Sequence, residues 1–238
     1  MTAALVAAAL ILVFAAGYWL LMSPFSQMFG AYPYRTRTEQ KVVALTFDDG
    51  PNEPYTSQIL ECLAARRVRA TFFHVAQCVE RHPETARRVA AAGHIIGNHS
   101  LTHRFGTYLR PRRFECEVAE TQRILSQVIG RTPALARTPW LWRQPGLLRM
   151  FQRHALHPVA GQFGHALEVF QPSGVRMARR AVAKTRPGTI LIFHDGFDGR
   201  GGDRTQTVAA VGLTIDTLLA QGYSFVTVDE LLGLPAYA

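Results

Sequence analysis

Residues 3–22 form an almost unbroken apolar run, and from residue 42 onward the pattern changes to short apolar runs alternating with amphipathic stretches of helical period. The short runs at 42–47, 70–75, 94–98, 134–137, 158–162, 189–194 and 223–228, several of them β-branched, predict seven strands. Between them, the spacing predicts helices over 57–67, 83–92, 112–129, 146–155, 175–185 and 207–220, with Gly93, Gly130 and Gly222 placed as C-terminal stops. Strand–helix alternation repeated this often calls for parallel strands with right-handed crossovers, in an open sheet or a closed barrel. No internal repeat or low-complexity tract interrupts it.

The first run is long enough to matter by itself. At about 1.5 Å per residue it spans the roughly 30 Å hydrocarbon layer of a bilayer. Residues 1–34 carry no charge, so the basic start of a cleaved signal peptide is missing, and an uncleaved anchor is the expectation. The chain then divides into an anchor (1–22), a Pro/Tyr-rich linker (23–40) and one catalytic-sized domain (41–238). Arg35, Arg37 and Lys41 follow the helix and on their own favour a cytoplasmic domain, whereas the substrate argued below favours an extracytoplasmic one on a single-pass cytoplasmic membrane protein.

Composition narrows the class. With 238 residues, 48% apolar and only 18% charged, the chain is a packed globule rather than a disordered polar one. The three cysteines, Cys62, Cys78 and Cys116, allow one disulfide at most and form no CxxC zinc site. The balance of 26 basic against 17 acidic residues, a net charge of +9, suits a solvated basic surface or attraction to anionic membrane or wall material. No zinc-finger, helix-turn-helix or RNA-binding pattern accompanies it, so nucleic acid is not an expected partner.

The reactive side chains fall in a telling place. Asp48, Asp49, His99, Arg137 and His194 lie at or just past the C-terminal ends of four different predicted strands, and in a barrel those ends share one face. Asp-Gly-Pro at 49–51 also suits an ordinary turn, but adjacent carboxylates at such a mouth raise each other's energy unless a cation or guanidinium compensates one of them. His99 and His103 are four apart, so one helical turn would point both imidazoles the same way. With one of the aspartates they make a two-nitrogen, one-oxygen ligand set that suits Zn²⁺ and leaves a position for water. His194 ends an apolar strand before Asp195-Gly196, and its near-neutral titration suits a general acid. Arg137, ahead of Thr138-Pro139-Trp140, is placed to orient a carboxylate by a bidentate pair.

Taken together, TFDDGP at 46–51, HSLTH at 99–103, RTPW at 137–140 and IFHDG at 192–196 resemble the successive motifs of the polysaccharide deacetylase family, carbohydrate esterase family 4. The resemblance covers residues 41–232 and implies a distorted (β/α)7 barrel behind the N-terminal transmembrane helix. It implies a hydrolase that removes N-acetyl groups from N-acetylglucosamine-containing poly- or oligosaccharides, with O-acetyl ester hydrolysis on xylan-like glycans or a carbohydrate-binding pseudoenzyme as alternatives. Residue by residue, it implies Asp48 as general base, Asp49, His99 and His103 as ligands of a divalent metal, Zn²⁺ with Co²⁺ as a substitute, Arg137 as the partner of Asp48, and His194 as general acid. The Trp140 backbone N–H takes the place of the oxyanion donor, and Trp140 and Ile192 are candidate acetyl-pocket walls. One motif departs from the family: where two acidic residues and a Trp are usual, residues 163–170 read FGHALEVF. Phe170 is the candidate for the Trp, and Glu168 or His165 for an acidic residue.

Overall fold

The computed structural model describes residues 2–238. The first element, α1 (Thr2–Met22), carries no charge, and its stretch Ala4–Met22 is long and apolar enough to cross a bilayer. The strands β1 (Val42–Asp48), β2 (Thr71–His74), β3 (Ile95–Asn98), β4 (Leu135–Ala136), β5 (His157–Pro158), β6 (Gln162–Phe163), β7 (Thr189–His194) and β8 (Ser224–Phe225) follow. All pair in parallel, in the order β5-β4-β3-β2-β1-β7-β6. β7 occupies one edge of β1 over its whole length, and β2 starts on the other edge only at Thr46, so β8 fits beside Val42 and Val43.

Around this curled sheet lie α2 (Tyr55–Ala65), α3 (Ala76–Arg81), α4 (Pro83–Ala91), α5 (Phe105–Tyr108), α6 (Pro111–Ile129), α7 (Leu147–Arg153), α8 (Gly174–Lys184), α9 (Thr205–Ala220) and α10 (Val228–Leu232). The six longer expected helices correspond to α2, α4, α6, α7, α8 and α9. The others, α3, α5 and α10, are too short for a helical period to show in the sequence.

The strand expected at 158–162 is divided in two. Its start pairs with β4 and its end with β7, and the extended backbone between them spans the seam of the half-barrel. Residues 33–36 lie along that seam, where Ala160 N–H donates to Pro33 O, Ile190 N–H to Tyr34 O and Thr36 N–H to Gly188 O. The stretch between α1 and β1 is therefore packed backbone with Tyr32 buried in the core, not a free tether.

Strand alternation decides what the lumen contains. Along β1, Val43, Leu45 and Phe47 pack outward with Ile59 and Leu63 of α2, Met177 of α8 and Ile215 of α9. Each such side chain contributes about 1.5–3 kcal/mol on burial. Ala44, Thr46 and Asp48 take the opposite face, so the lumen is lined by a small, a hydroxyl and an acidic residue in rising order toward the mouth.

Candidate active site

The backbone leaves regular strand geometry at Asp49, whose φ is +76°, a left-handed conformation that aspartate tolerates better than most residues. A regular strand would send the Asp48 and Asp49 side chains to opposite faces, but here both line one cavity. The turn after them packs hard against the end of β7: a Cβ on Gly50 would lie 1.9 Å from the Asp195 carboxylate, and one on Gly196 2.4 Å from Asp49 O. Only glycine permits that approach, which accounts for the glycines of both motifs.

The HSLTH segment corrects an expectation. It is not helical; it is a loop after β3 in which Ser100 (φ +67°) and His103 (φ +56°) are left-handed. The two imidazoles still converge, through loop geometry instead of helical period, and both Nε2 atoms face Asp49 Oδ1, at 3.3 Å from His99 and 3.1 Å from His103. His99 Nδ1 lies 2.8 Å from the carbonyl of Arg137, which can only accept, so a neutral His99 carries its proton on Nδ1 and turns the Nε2 lone pair toward the aspartate. His103 Nδ1 is held in the same way, 2.8 Å from Asp198 Oδ1, while Asp198 N–H donates to Asp49 Oδ2 at 2.9 Å.

Asp49 Oδ1 is buried and accepts no hydrogen bond, and the three candidate ligand atoms lie within 4.8 Å of one another. An orphaned carboxylate oxygen facing two imidazole nitrogens is an electron-rich donor set that a divalent cation satisfies. The electrostatics agree. Burial disfavours charge on His103, yet Asp49 and Asp198 outweigh it and raise the imidazole to about 10. Burial likewise opposes charge on Asp49, and His103 and His99 more than offset it, holding the carboxyl well below the usual carboxylate range. The trio draws in positive charge, and a bound cation would take the place of the proton.

Beside this trio stands the Asp48–Arg137 pair, fully enclosed in the lumen. Arg137 Nη1 donates to Asp48 Oδ1 at 2.7 Å and to Thr46 Oγ1 at 2.8 Å, Nη2 donates to Ala160 O at 2.9 Å, and the guanidinium lies over the Phe73 ring. The expected bidentate pair is thus a single bond to the carboxylate, with the remaining donors spent on neighbouring oxygens.

Across the cavity, His194 ends β7, and Glu168 approaches it from the turn Glu168–Phe170. Its carboxylate, only 2% exposed, grips His194 twice: Oε1 accepts from the backbone N–H at 2.9 Å, and Oε2 sits 3.1 Å from Nδ1. Thr207 Oγ1 donates to Oε1 as well. Burial would lower the His194 pKa, but the charge and hydrogen bond of Glu168 raise it to about 9. Of the two candidates for the missing acidic position, Glu168 is the one in contact with His194; His165 lines the cavity instead.

A cavity of about 400 Å³ brings together Asp48, Asp49, His99, His103, Trp140 and His194. Two pocket candidates lie elsewhere. Phe170, the last residue of the 3-10 turn, is 77% exposed and does not line the cavity; Phe163 instead stacks on the His194 ring. Ile192 is fully buried in the lumen against Gly161, outside the lining. Asp198 had no signal in the sequence beyond the Gly-rich loop that follows His194, and Phe163 none beyond its place at the head of the FGHALEVF segment.

Comparison with known proteins shows what the chain is similar to. The family described as polysaccharide deacetylase matches residues 35–156. A peptidoglycan-N-acetylglucosamine deacetylase of Bacillus cereus is 30% identical over 204 residues, covering 85% of this chain and 93% of its own length. A chitooligosaccharide deacetylase of Rhizobium leguminosarum is 34% identical over 198 residues, covering 79% and 90%. Among solved structures, a peptidoglycan N-acetylglucosamine deacetylase superposes with a TM-score of 0.81 at 26% identity, covering 87% of this chain and 95% of that one.

Proposed function

This chain belongs to the polysaccharide deacetylase family, and on that premise we propose that it is a metal-dependent hydrolase removing N-acetyl groups from N-acetylglucosamine-containing glycans. The observation that carries the reading is the orphaned Asp49 Oδ1 facing two imidazoles, with a carboxylate on one side and an acid-tuned histidine on the other. Asp49, His99 and His103 would hold the cation, Zn²⁺ with Co²⁺ as a working substitute. Bound there, a divalent ion supplies Lewis acidity, lowering the pKa of a water and polarising the acetyl carbonyl.

The chain's own groups perform the proton work. Asp48, oriented by Arg137, takes the proton of the attacking water at the cavity floor. The Trp140 backbone N–H is the donor assigned to the developing oxyanion. His194, kept protonated by Glu168, gives its proton to the departing nitrogen, without which an amine leaves poorly. Trp140, itself in a left-handed turn (φ +51°), packs against the His103 ring and walls the acetyl side. The anchor α1 would hold the catalytic domain on the outer face of the cytoplasmic membrane, where such glycans lie.

The test is acetate release from short N-acetylglucosamine oligomers by the full chain in detergent. The expected result is loss with a chelator and recovery with Zn²⁺ or Co²⁺. Metal binding with no acetate released from these oligomers or from acetylated xylan would favour a binding role and overturn the reading.

A further inference from the structure

The span Ala4–Met22 has 19 residues and so runs about 28 Å, close to the hydrocarbon thickness of about 30 Å. Met22 then marks the membrane boundary, and Tyr18, one turn earlier, lies about 6 Å inside it. Yet Tyr18 lines the same cavity as Asp48, His99 and His194. The connection is not a loose tether. Arg143 N–H donates to Leu21 O at 2.9 Å, Ser26 Oγ donates to Leu20 O, and the buried Arg143 guanidinium lies over the Tyr32 ring, 4.7 Å from its centroid.

One stretch of the rim is apolar and exposed, although His165 and Asp198 also line the cavity. Val169 and Phe197 line the cavity while exposed, and Leu167 and Phe170 stand exposed beside Val169. Just beyond this turn, α8 presents Arg176, Arg179 and Arg180 to solvent, a charge that complements anionic headgroups. Apolar rim, basic flank and a membrane helix in the wall of one cavity are the features of a site set at the headgroup level.

We propose that the catalytic mouth opens at the bilayer interface and that its substrate is a membrane-embedded glycolipid, an N-acetylated amino sugar on a lipid whose chains remain in the bilayer beside α1. This rests on the deacetylase reading above and names the substrate class for it.

The test places the full chain, loaded with Zn²⁺, in vesicles of phosphatidylethanolamine and phosphatidylglycerol. It compares free di-N-acetylchitobiose with the same disaccharide joined to a dialkyl lipid in those vesicles. The conjugate should be deacetylated about 10-fold faster or more at equal bulk concentration. Tethering alone concentrates any anchored enzyme with its substrate, so the deciding variant is Leu167→Ser with Phe170→Ser, which keeps α1 and leaves the cavity lining intact. It should lower the conjugate-to-free ratio about 5-fold or more, with hydrolysis of the free disaccharide unchanged. Equal rates on the two substrates, or a ratio the variant does not move, overturns the proposal while the deacetylase reading stands; no acetate from either overturns both. A readout independent of turnover uses Trp19→Phe with Trp142→Phe, leaving Trp140 at the mouth. Lipids brominated near the headgroup end of their chains should quench its fluorescence, and an unquenched Trp140 overturns the proposal.

Discussion

The two sides of the catalytic cavity are built on different plans. On the metal side, His99 and His103 are buried to 2% and 5% side-chain exposure, and each ring is fixed from behind, by the Arg137 carbonyl and by Asp198. On the acid side, the His194 ring remains 24% exposed, stacked on Phe163 and held by one carboxylate from a short turn. A cation site gains from exclusion of water and rigid donors, whereas a general acid has to reach a departing group on a bulky sugar. In the proposed mechanism the sealed side sets affinity for the ion, and the open side sets the handling of substrate and the pH at which it is turned over.

If that division holds, removing a ligand is the most severe change. Asp49→Ala should abolish both stoichiometric zinc, read by elemental analysis, and acetate release, because the remaining imidazoles lose the one anionic donor of the set. Retained zinc with lost activity would place Asp49 on the proton-transfer side instead. Next in size is His194→Ala, expected to cost about 10²–10⁴ in kcat on the N-acetyl substrate. It should keep its zinc and lose less on an activated acetyl ester, whose leaving group needs no proton. Equal losses on amide and ester would remove His194 from the acid role.

The difference between the sides also explains what could be read from the chain. The proposed metal ligands lie within a few residues of one another or at the end of a strongly apolar strand, so spacing suggested the two histidines with one of the two aspartates, and the family resemblance singled out Asp49. The strand ends at Asp48, Asn98 and His194 follow from short apolar runs, near-continuous and buried on both faces in β1 and β7. The acid-side partner was not resolved, because Glu168 sits in a 3-10 turn with no period, and a one-residue shift there exchanges a buried carboxylate for the exposed Leu167 or Val169. The helical reading of HSLTH reached the right pairing by the wrong geometry: four-residue spacing also closes a loop when Ser100 and His103 take positive φ. The divided strand at β5 and β6 was invisible for a similar reason, since one extended segment looks the same whether it pairs along its length or only at its ends.

The support behind each histidine gives a finer contrast. Asp198→Asn keeps a hydrogen-bond acceptor for His103 Nδ1 but removes the charge that strengthens it as a donor to metal, so zinc affinity should fall about 10- to 100-fold. Competition titration against a chelating dye measures it, and kcat at saturating zinc should change far less. An unchanged affinity would mean that the metal side does not depend on its second layer of contacts, and the contrast drawn between the two sides would fail there.

Glu168→Gln probes the open side in the same manner, and its effect is set by pH. With Glu168 present, the folded-state pKa of His194 lies at about 9, above its ordinary 6.5, so the acid form is available below about 9. Glutamine keeps the size of the side chain but not its charge, so the pKa falls from about 9, with Asp49 and Asp48 still opposing the downward push of burial. At pH 8 the protonated fraction, about nine-tenths in the parent, then falls and amide hydrolysis falls with it, by up to about 30-fold, while at pH 5.5 the two enzymes should be closer to parity. The same pair is linked to stability with a definite sign: a raised folded pKa stabilises fully below about 6.5 and loses its contribution as pH rises through about 9. The difference in Tm between the parent and Glu168→Gln should accordingly shrink across that window. An alkaline limb of kcat that stays near 9 in the variant would show that Glu168 holds the ring in place without setting its charge.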